Sequence, residues 1–309
     1  MTRKARRALL RVTALALLAY AAMCAYMYQE QRHEIFQPTA VLQTTPDRLG
    51  MKYEVVHIPS GSGGEQGEIY GWWIPADQPN APSFLYLHGN DKNISLTRDI
   101  AHANRLHNMG YNVLMIDYRG YGKSTGGEPS ESKVYEDAEA AWNYLVKRVA
   151  AQSAGPVQRT GVARPASAPE ASGTPHANGI FIYGHSLGGA IAIDLAIHHP
   201  EAAGLIAEST FTSMKAMGKR EYYYLPVEWL LTEHFDSVRK VDKLKIPVLY
   251  IHGKMDSLIP YRMSERLYDK SPEPRYLKLI EGGEHGNSSV IGWVEYRDAL
   301  AAFVSKYAH

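Results

Sequence analysis

The sequence GIFIYGHSLGGAIAIDLAIHHP at residues 179–200 decides the fold of this chain. Residues 179–183 are mostly apolar, β-branched or aromatic, which predicts a short buried strand. Residues 189–199 are mostly apolar and end before a proline, which predicts a helix. Between them, Gly184-His185-Ser186-Leu187-Gly188 has the G-x-S-x-G form of a tight turn from strand to helix. The stretch therefore predicts a strand, a sharp turn and a helix that together present one serine.

The motif itself is short, and with ordinary composition it occurs by chance in roughly one chain in eight. The flanking strand and helix supply the context that it needs. Gly184 and Gly188 have no side chain, so two backbone segments can pass close together around Ser186. Ser186 is therefore a candidate nucleophile, and its partners should lie elsewhere in the chain.

A serine hydroxyl needs a neighbouring base, and the base needs a carboxylate that orients it. With this type of turn, the order along the chain is serine, acid, histidine. Beyond residue 250 the histidines are His252, His285 and His309. His309 is the last residue, and His252 lies inside an apolar strand, where packing is the expected role. His285 follows the predicted strand 275–280 in a glycine-rich loop and is the candidate base.

Two carboxylates are candidates for the acid. Asp256 lies in the loop after the predicted strand 246–253, and its position favours it. Glu208, which follows the predicted strand 204–207, is the alternative. An aspartate in such a loop is also common as a plain turn residue, so the sequence leaves both open.

The charge that develops on an attacked acyl oxygen is stabilised by two hydrogen-bond donors, each worth about 3 kcal/mol. The N–H of Leu187 is one candidate, since it lies at the positive end of the predicted helix. The N–H of Asn90 is the other, and it belongs to His88-Gly89-Asn90, directly after the predicted strand 83–87. The same tripeptide also suits an ordinary turn between a strand and a helix.

These motifs resemble those of the α/β-hydrolase superfamily. The resemblance covers about residues 50–308, and the matching stretches, in family order, are 87–90, 117–124, 184–189, 253–256 and 283–286. The stretch 208–213 resembles small membrane-anchored serine hydrolases, often classed with serine aminopeptidase or prolyl-oligopeptidase-like domains. The resemblance implies an α/β fold with a mostly parallel eight-stranded sheet flanked by helices. It also implies a triad of Ser186, Asp256 and His285, with Leu187 and Asn90 in the oxyanion hole.

The composition argues against several other classes. The 309 residues carry a net charge of +1, which gives no indication of nucleic-acid binding. Cys24 is the single cysteine, so the chain has no internal disulfide. We expect neither a metal nor an organic cofactor, because the sequence has no H-E-x-x-H motif and no cysteine–histidine cluster.

The N-terminal region, residues 1–30, predicts a basic flank followed by a membrane anchor. Residues 12–28 carry no charge, and these 17 residues span about 26 Å as a helix. The basic residues before them are Arg3, Lys4, Arg6, Arg7 and Arg11. Basic flanks stay cytoplasmic, which predicts a catalytic domain on the non-cytoplasmic side, periplasmic or at the inner membrane if the source is bacterial. A signal peptide cleaved after Ala19-Tyr20-Ala21 is the alternative, but the apolar stretch continues past that site.

A linker at 31–50 and one α/β domain at 51–309 are predicted to follow the anchor. Strands and helices alternate through this domain, which favours a mostly parallel sheet. Residues 150–178 are rich in Ala, Pro, Ser and Gly without a period, so we expect a disordered surface insertion. Residues 212–236 are unusually apolar and aromatic for a connector. They predict a small helical cap that lines an acyl pocket, with ordinary packing of an excursion onto the domain as the alternative.

The favoured function is a membrane-tethered serine hydrolase that cleaves acyl esters or thioesters through an acyl-enzyme intermediate. The apolar cap and the anchor favour hydrophobic acyl groups. A serine peptidase or aminopeptidase using the same triad is one alternative. A non-catalytic tethered binding domain is the other, since a fold alone does not establish activity. The expected partners are a small-molecule or acylated substrate and the membrane.

Overall fold

The computed structural model describes residues 2–61, 66–153 and 179–308. The predicted insertion lies outside the described residues from position 154 to 178, whereas residues 150–153 end a helix. His309 also lies outside the described residues.

Eight strands form one sheet. In chain order they are β1 (Glu54–Ser60), β2 (Gly67–Ile74), β3 (Ser83–Leu87), β4 (Asn112–Ile116), β5 (Ile180–His185), β6 (Gly204–Glu208), β7 (Val248–Gly253) and β8 (Arg275–Ile280). Their spatial order is β8-β7-β6-β5-β3-β4-β2-β1, and only β2 runs opposite to the other seven strands. Strands β3 to β7 are buried along their whole length, as expected for central parallel strands. The predicted mostly parallel, eight-stranded α/β sheet is confirmed.

Helices cover both faces of the sheet. In chain order they are α1 (Arg3–Ile35), α2 (Thr97–Asn108), α3 (Glu131–Ser153), α4 (Leu187–His198), α5 (Met214–Glu221), α6 (Val227–Leu230), α7 (Arg262–Lys270), α8 (Ser288–Ile291) and α9 (Trp293–Tyr307). Apolar side chains of α3, α4 and α7 pack in one hydrophobic core, and those of α2 and α9 pack in the other. The two cores lie on opposite faces of the sheet, because side chains along each strand alternate between them.

The N-terminal helix α1 is long and apolar enough to cross a membrane, by length and composition, with a mean hydropathy of 1.9 in its most apolar window. It continues to Ile35, beyond the predicted end of the anchor at residue 30. The chain then packs onto the domain: Phe36 is buried with its ring 6.0 Å from that of Phe235. Gln37–Pro38 pairs in parallel with Asp91–Lys92. Part of the predicted linker 31–50 is thus helix, and part is held against the domain, because Phe36 is buried there.

Candidate active site

Loops at one edge of the sheet hold the predicted triad. Ser186 follows β5, Asp256 follows β7 and His285 follows β8, and the carboxyl ends of these parallel strands meet at one edge. His285 Nε2 lies 3.0 Å from Ser186 Oγ, and His285 Nδ1 lies 2.8 Å from Asp256 Oδ2. The structure therefore brings a hydroxyl, an imidazole and a carboxylate into one hydrogen-bonded line.

Within the described ranges, no group of three or more His, Cys, Asp and Glu side chains is placed to hold a metal ion.

Ser186 has a strained backbone between β5 and α4. Its φ is 57° and its ψ is −119°, a conformation that residues with a side chain rarely adopt. A side chain on Gly184 would overlap the carbonyl oxygen of Gly188, and one on Gly188 would overlap that of Leu87. The N–H of Ser186 donates to the carbonyl of Glu208 at 2.9 Å, which joins the turn to β6. Close backbone packing around two glycines thus holds the serine in place.

The Asp256 carboxylate is buried and hydrogen-bonded through both oxygens. Oδ1 accepts the N–H groups of Leu258 at 3.0 Å and Ile259 at 2.8 Å. Oδ2 faces His285 Nδ1 and, at 3.1 Å, His252 Nε2. Burial by itself raises the pKa of Asp256, but hydrogen bonds from His252 and His285 outweigh burial and hold this pKa well below its ordinary value. The carboxylate is therefore ionised at neutral pH.

This carboxylate selects the tautomer of His285. Because Asp256 is an acceptor, Nδ1 of the imidazole carries the proton. Nε2 is left with a lone pair directed toward the hydroxyl of Ser186. In this state an imidazole can take the proton of the serine.

Two further histidines position the triad, and no role in the site was predicted for either. His252 Nε2 lies close to Asp256 Oδ2 and 2.8 Å from the carbonyl of Ile259; since both are acceptors, this nitrogen carries a proton. His185 Nε2 donates to the backbone carbonyl of His285 at 3.0 Å. Burial lowers the pKa of His185 well below its ordinary value, so it stays neutral. For His252, the sequence gives one indication of a role in the site: it lies at the end of a predicted strand, four residues before Asp256. For His185 it gives none, since this residue occupies a variable position of the G-x-S-x-G motif.

Glu208, the alternative acid, is not hydrogen-bonded to His285. Its carboxylate accepts hydrogen bonds from Tyr183 and, at 3.1 Å, from Tyr296. Its Oε2 also lies 3.7 Å from His102 Nδ1. Burial raises the pKa of Glu208 to about 7, against the opposing effect of the two tyrosine hydrogen bonds. The geometry favours Asp256 as the orienting acid and leaves Glu208 as a buried carboxyl group.

Glu208 makes the stability of the fold depend on pH. Its pKa rises from an ordinary value of 4.5 to about 7 in the fold. As the pH increases, the unfolded chain therefore loses this proton at a lower pH than the folded chain does. Stability is therefore lost as the pH rises through this window, by on the order of 3 kcal/mol. We expect Glu208→Gln to show a smaller drop in melting temperature between pH 5 and pH 8 than the wild type. Thermal melts in one detergent measure this, and equal drops in the two proteins would contradict it.

The two predicted oxyanion donors lie near the serine. Leu187 is the first residue of α4, and neither its N–H nor that of Asn90 has a hydrogen-bond acceptor among the described residues. Gly89 packs on Ser186, since a Cβ built on this glycine would lie 3.4 Å from the serine Cβ. The Asn90 side chain is used elsewhere: its Nδ2 donates to the carbonyl of Ile35 at 3.0 Å. Backbone N–H groups in this position suit an oxyanion, and both assignments stay predictions.

A cavity of about 310 Å³ begins at Asn90. It lies between α1, the cap formed by α5 and α6, and Leu258 of the loop after β7. The cap lines it mainly with apolar and aromatic side chains: Met214, Met217, Tyr222, Leu225, Val227, Leu230 and Leu231. Arg220 of the cap donates to the carbonyl of Ser257 at 3.1 Å, which joins α5 to the loop that carries Asp256. The cap therefore contacts the loop that carries Asp256 and lines an open, mainly apolar cavity.

Comparison with known proteins identifies relatives of the chain. Residues 84–306 match the sequence model of the Alpha/beta hydrolase family. An uncharacterised protein of Mycobacterium tuberculosis strain H37Rv is 30% identical over 309 residues, which cover 100% of this chain and 99% of that protein. Lysophosphatidylserine lipase ABHD12 of Danio rerio is 28% identical over 249 residues, 74% of this chain and 58% of that lipase. The Pyrococcus furiosus esterase Pf2001 has the same fold, with a TM-score of 0.66 and 21% identity over 88% of this chain and 97% of its own.

Proposed function

Since the chain belongs to the Alpha/beta hydrolase family, we propose that it is a membrane-tethered serine hydrolase that cleaves acyl esters or thioesters. The observation that carries this proposal is the hydrogen-bonded line from Ser186 through His285 to Asp256, with distances of 3.0 Å and 2.8 Å. The relative at 28% identity is a lysophosphatidylserine lipase, which supports an acyl ester as the substrate class. The apolar cavity beside the triad supports a hydrophobic acyl group.

Acylation begins when Ser186 Oγ attacks the acyl carbon and its proton passes to His285 Nε2. The carbonyl electron pair moves onto oxygen, and the N–H groups of Leu187 and Asn90 hold this oxyanion. Leu187 lies at the N-terminal, positive end of α4, which favours negative charge there. Asp256 stabilises the imidazolium that has formed. The tetrahedral intermediate then collapses, and His285 gives the proton to the leaving alcohol or thiol.

Deacylation uses the same groups in the reverse order. His285 takes a proton from water, and the resulting hydroxide attacks the acyl-enzyme carbon. The Leu187 and Asn90 donors hold the second oxyanion. When the bond to Ser186 breaks, the proton returns from His285 to the serine oxygen and the carboxylic acid leaves. No cofactor enters either half of the cycle.

The proposed tether is α1, whose most apolar window has a mean hydropathy of 1.9. The basic residues in its first turns favour an N-terminus in the cytoplasm and a catalytic domain on the other side of the membrane. The cap carries aromatic side chains directed to solvent, with Tyr223 83% and Trp229 85% exposed. Such amphipathic rings are favoured at the boundary between lipid and water, so we place this face of the cap at the membrane surface.

A fluorescent fluorophosphonate tests the nucleophile directly. We expect it to label the wild type in membranes, because this reagent reacts with a serine activated by a neighbouring base. Ser186→Ala is expected to remain unlabelled, whereas Ser257→Ala, which changes an exposed serine beside Asp256, should label as the wild type does. Gel fluorescence measures labelling, and peptide mass spectrometry locates the adduct.

Two outcomes would contradict the proposal. A well-folded wild type that takes no label would favour a non-catalytic binding domain. If the labelled enzyme hydrolyses aminoacyl amides faster than a series of p-nitrophenyl acyl esters, the peptidase alternative would replace ester or thioester cleavage.

A further inference from the structure

The cavity beside the triad has α1 as one of its walls. Met27, Gln31 and Glu34 line it, and their spacing places them on one face of the helix. At the other end the cavity reaches Asn90, whose neighbour Gly89 packs on the nucleophile. The cavity thus extends from the predicted membrane helix to the loop that packs on Ser186.

This wall is firmly attached to the cap. The side chain of Gln31 is 8% exposed, and its Nε2 donates to the carbonyl of Leu230 at 3.0 Å. Its Oε1 accepts the N–H of Thr232 at 2.7 Å. The next residue, Arg32, pairs with Glu233 at 2.7 Å. These contacts join the end of α1 to the cap.

The same cavity reaches into the apolar part of α1, because Met27 belongs to the uncharged segment 12–28. The cap also contacts α1 closer to the N-terminus, where the hydroxyl of Tyr20 donates to the carbonyl of Tyr224 at 2.9 Å. Tyr20 precedes Tyr28 by eight residues, which is about 12 Å along a helix. The tip of the cap therefore contacts α1 within its uncharged segment.

We propose that α1 is a wall of the acyl-binding site, and that the acyl chain of a bilayer lipid ester enters from the outer leaflet between α1 and the cap. This inference rests on the proposed function, because it needs Ser186 to be the nucleophile. The occupant is an acyl chain rather than a polar group, since the cap wall is mainly apolar and α1 adds Met27 from its uncharged segment. The helix thereby selects the substrate as well as anchoring the enzyme.

Two fluorophosphonates that differ only in alkyl length, ethyl and dodecyl, test the wall in full-length protein. We expect the wild type to react faster with the dodecyl reagent. Met27→Trp fills the cavity from α1 and should reduce the dodecyl rate by about tenfold while leaving the ethyl rate within about twofold. Leu225→Trp, which fills it from the cap, is expected to act in the same way. Ala25→Trp, at an exposed position of α1, is the matched control and should keep the wild-type preference.

The outcomes separate this inference from the proposed function. If the wild type reacts with neither reagent, the proposed function fails. If both reagents label Ser186 but Met27→Trp and Leu225→Trp keep the wild-type ratio of rates, the acyl-site inference is overturned and the proposed function stands. Equal slowing of both reagents would also overturn it, because a cavity distant from the short chain should not affect the ethyl rate.

Entry from the bilayer is tested in proteoliposomes with lipids brominated on their acyl chains. Bromine quenches tryptophan fluorescence on contact, and Trp229 is the exposed tryptophan of the cap. We expect quenching of the wild type to exceed that of Trp229→Phe. Identical quenching of the two proteins would place the cap in water and overturn entry from the leaflet in favour of substrate taken from solution.

Discussion

Ser186→Ala is expected to lower kcat/KM for the preferred acyl ester by about 10⁶-fold. The reason is that the variant loses the atom that forms the acyl-enzyme, and His285 then has no hydroxyl to deprotonate. Removal of the side chain leaves the strained φ of 57° and the packing of Gly184 and Gly188 in place, so the variant should fold. Steady-state hydrolysis of a p-nitrophenyl ester by purified full-length protein is the measurement.

Ser257→Ala is the matched control for this substitution, because it removes a hydroxyl from an exposed serine next to Asp256. Its kcat/KM should stay close to the wild-type value. A residual activity of Ser186→Ala within about tenfold of the wild type would assign the hydrolysis to another group and overturn the triad.

Asp256→Asn is expected to lower kcat by about 10⁴-fold with little change in substrate binding. Its amide oxygen should remain at the position of Oδ1, where the N–H groups of Leu258 and Ile259 require an acceptor. The amide NH₂ then replaces Oδ2 and faces His285 Nδ1. Two donors cannot face each other, so the imidazole moves its proton to Nε2 and can no longer accept the serine proton.

Glu208→Gln is the control that separates the two candidate acids. Its carboxylate contacts Tyr183 and Tyr296 rather than His285, so kcat should stay within about threefold of the wild type at pH 7. The opposite ranking, with Glu208→Gln inactive and Asp256→Asn active, would assign the orienting acid to Glu208. Both proteins should be checked for equal melting before the rates are compared.

Much of the fold follows from local patterns in the sequence. Short runs of β-branched and aromatic residues such as 180–183 are typical of buried strands, where the backbone is hydrogen-bonded to neighbouring strands and the side chains are buried. The strands could therefore be predicted. The regular alternation with helices then requires parallel neighbours. Since parallel strands present their carboxyl ends at one edge, loops as distant as those of Ser186 and His285 could be placed together before any coordinates.

The remaining features depend on contacts between distant segments, for which a single sequence carries no local signal. The Gln31 side chain donates a hydrogen bond to the carbonyl of Leu230, which lies 199 residues away in the sequence. Nothing in the sequence around Gln31 indicates such a partner. In the same way, His185 donates a hydrogen bond to the carbonyl of His285, which lies 100 residues away in the sequence. The docking of Phe36 was also missed, because one buried aromatic residue is too little to distinguish a packed segment from a linker.

The attachment of α1 to the domain has a consequence for how the enzyme meets its substrate. Gln31, Arg32 and the bond from Asn90 to the carbonyl of Ile35 hold the helix close to the catalytic loops. If α1 anchors the chain as proposed, the domain does not swing on a loose tether, and Ser186 stays close to the bilayer. We then expect turnover to depend on the mole fraction of substrate in the surface rather than on its bulk molarity. Inert lipid added at constant substrate is expected to slow the reaction by surface dilution, as for a reaction confined to two dimensions.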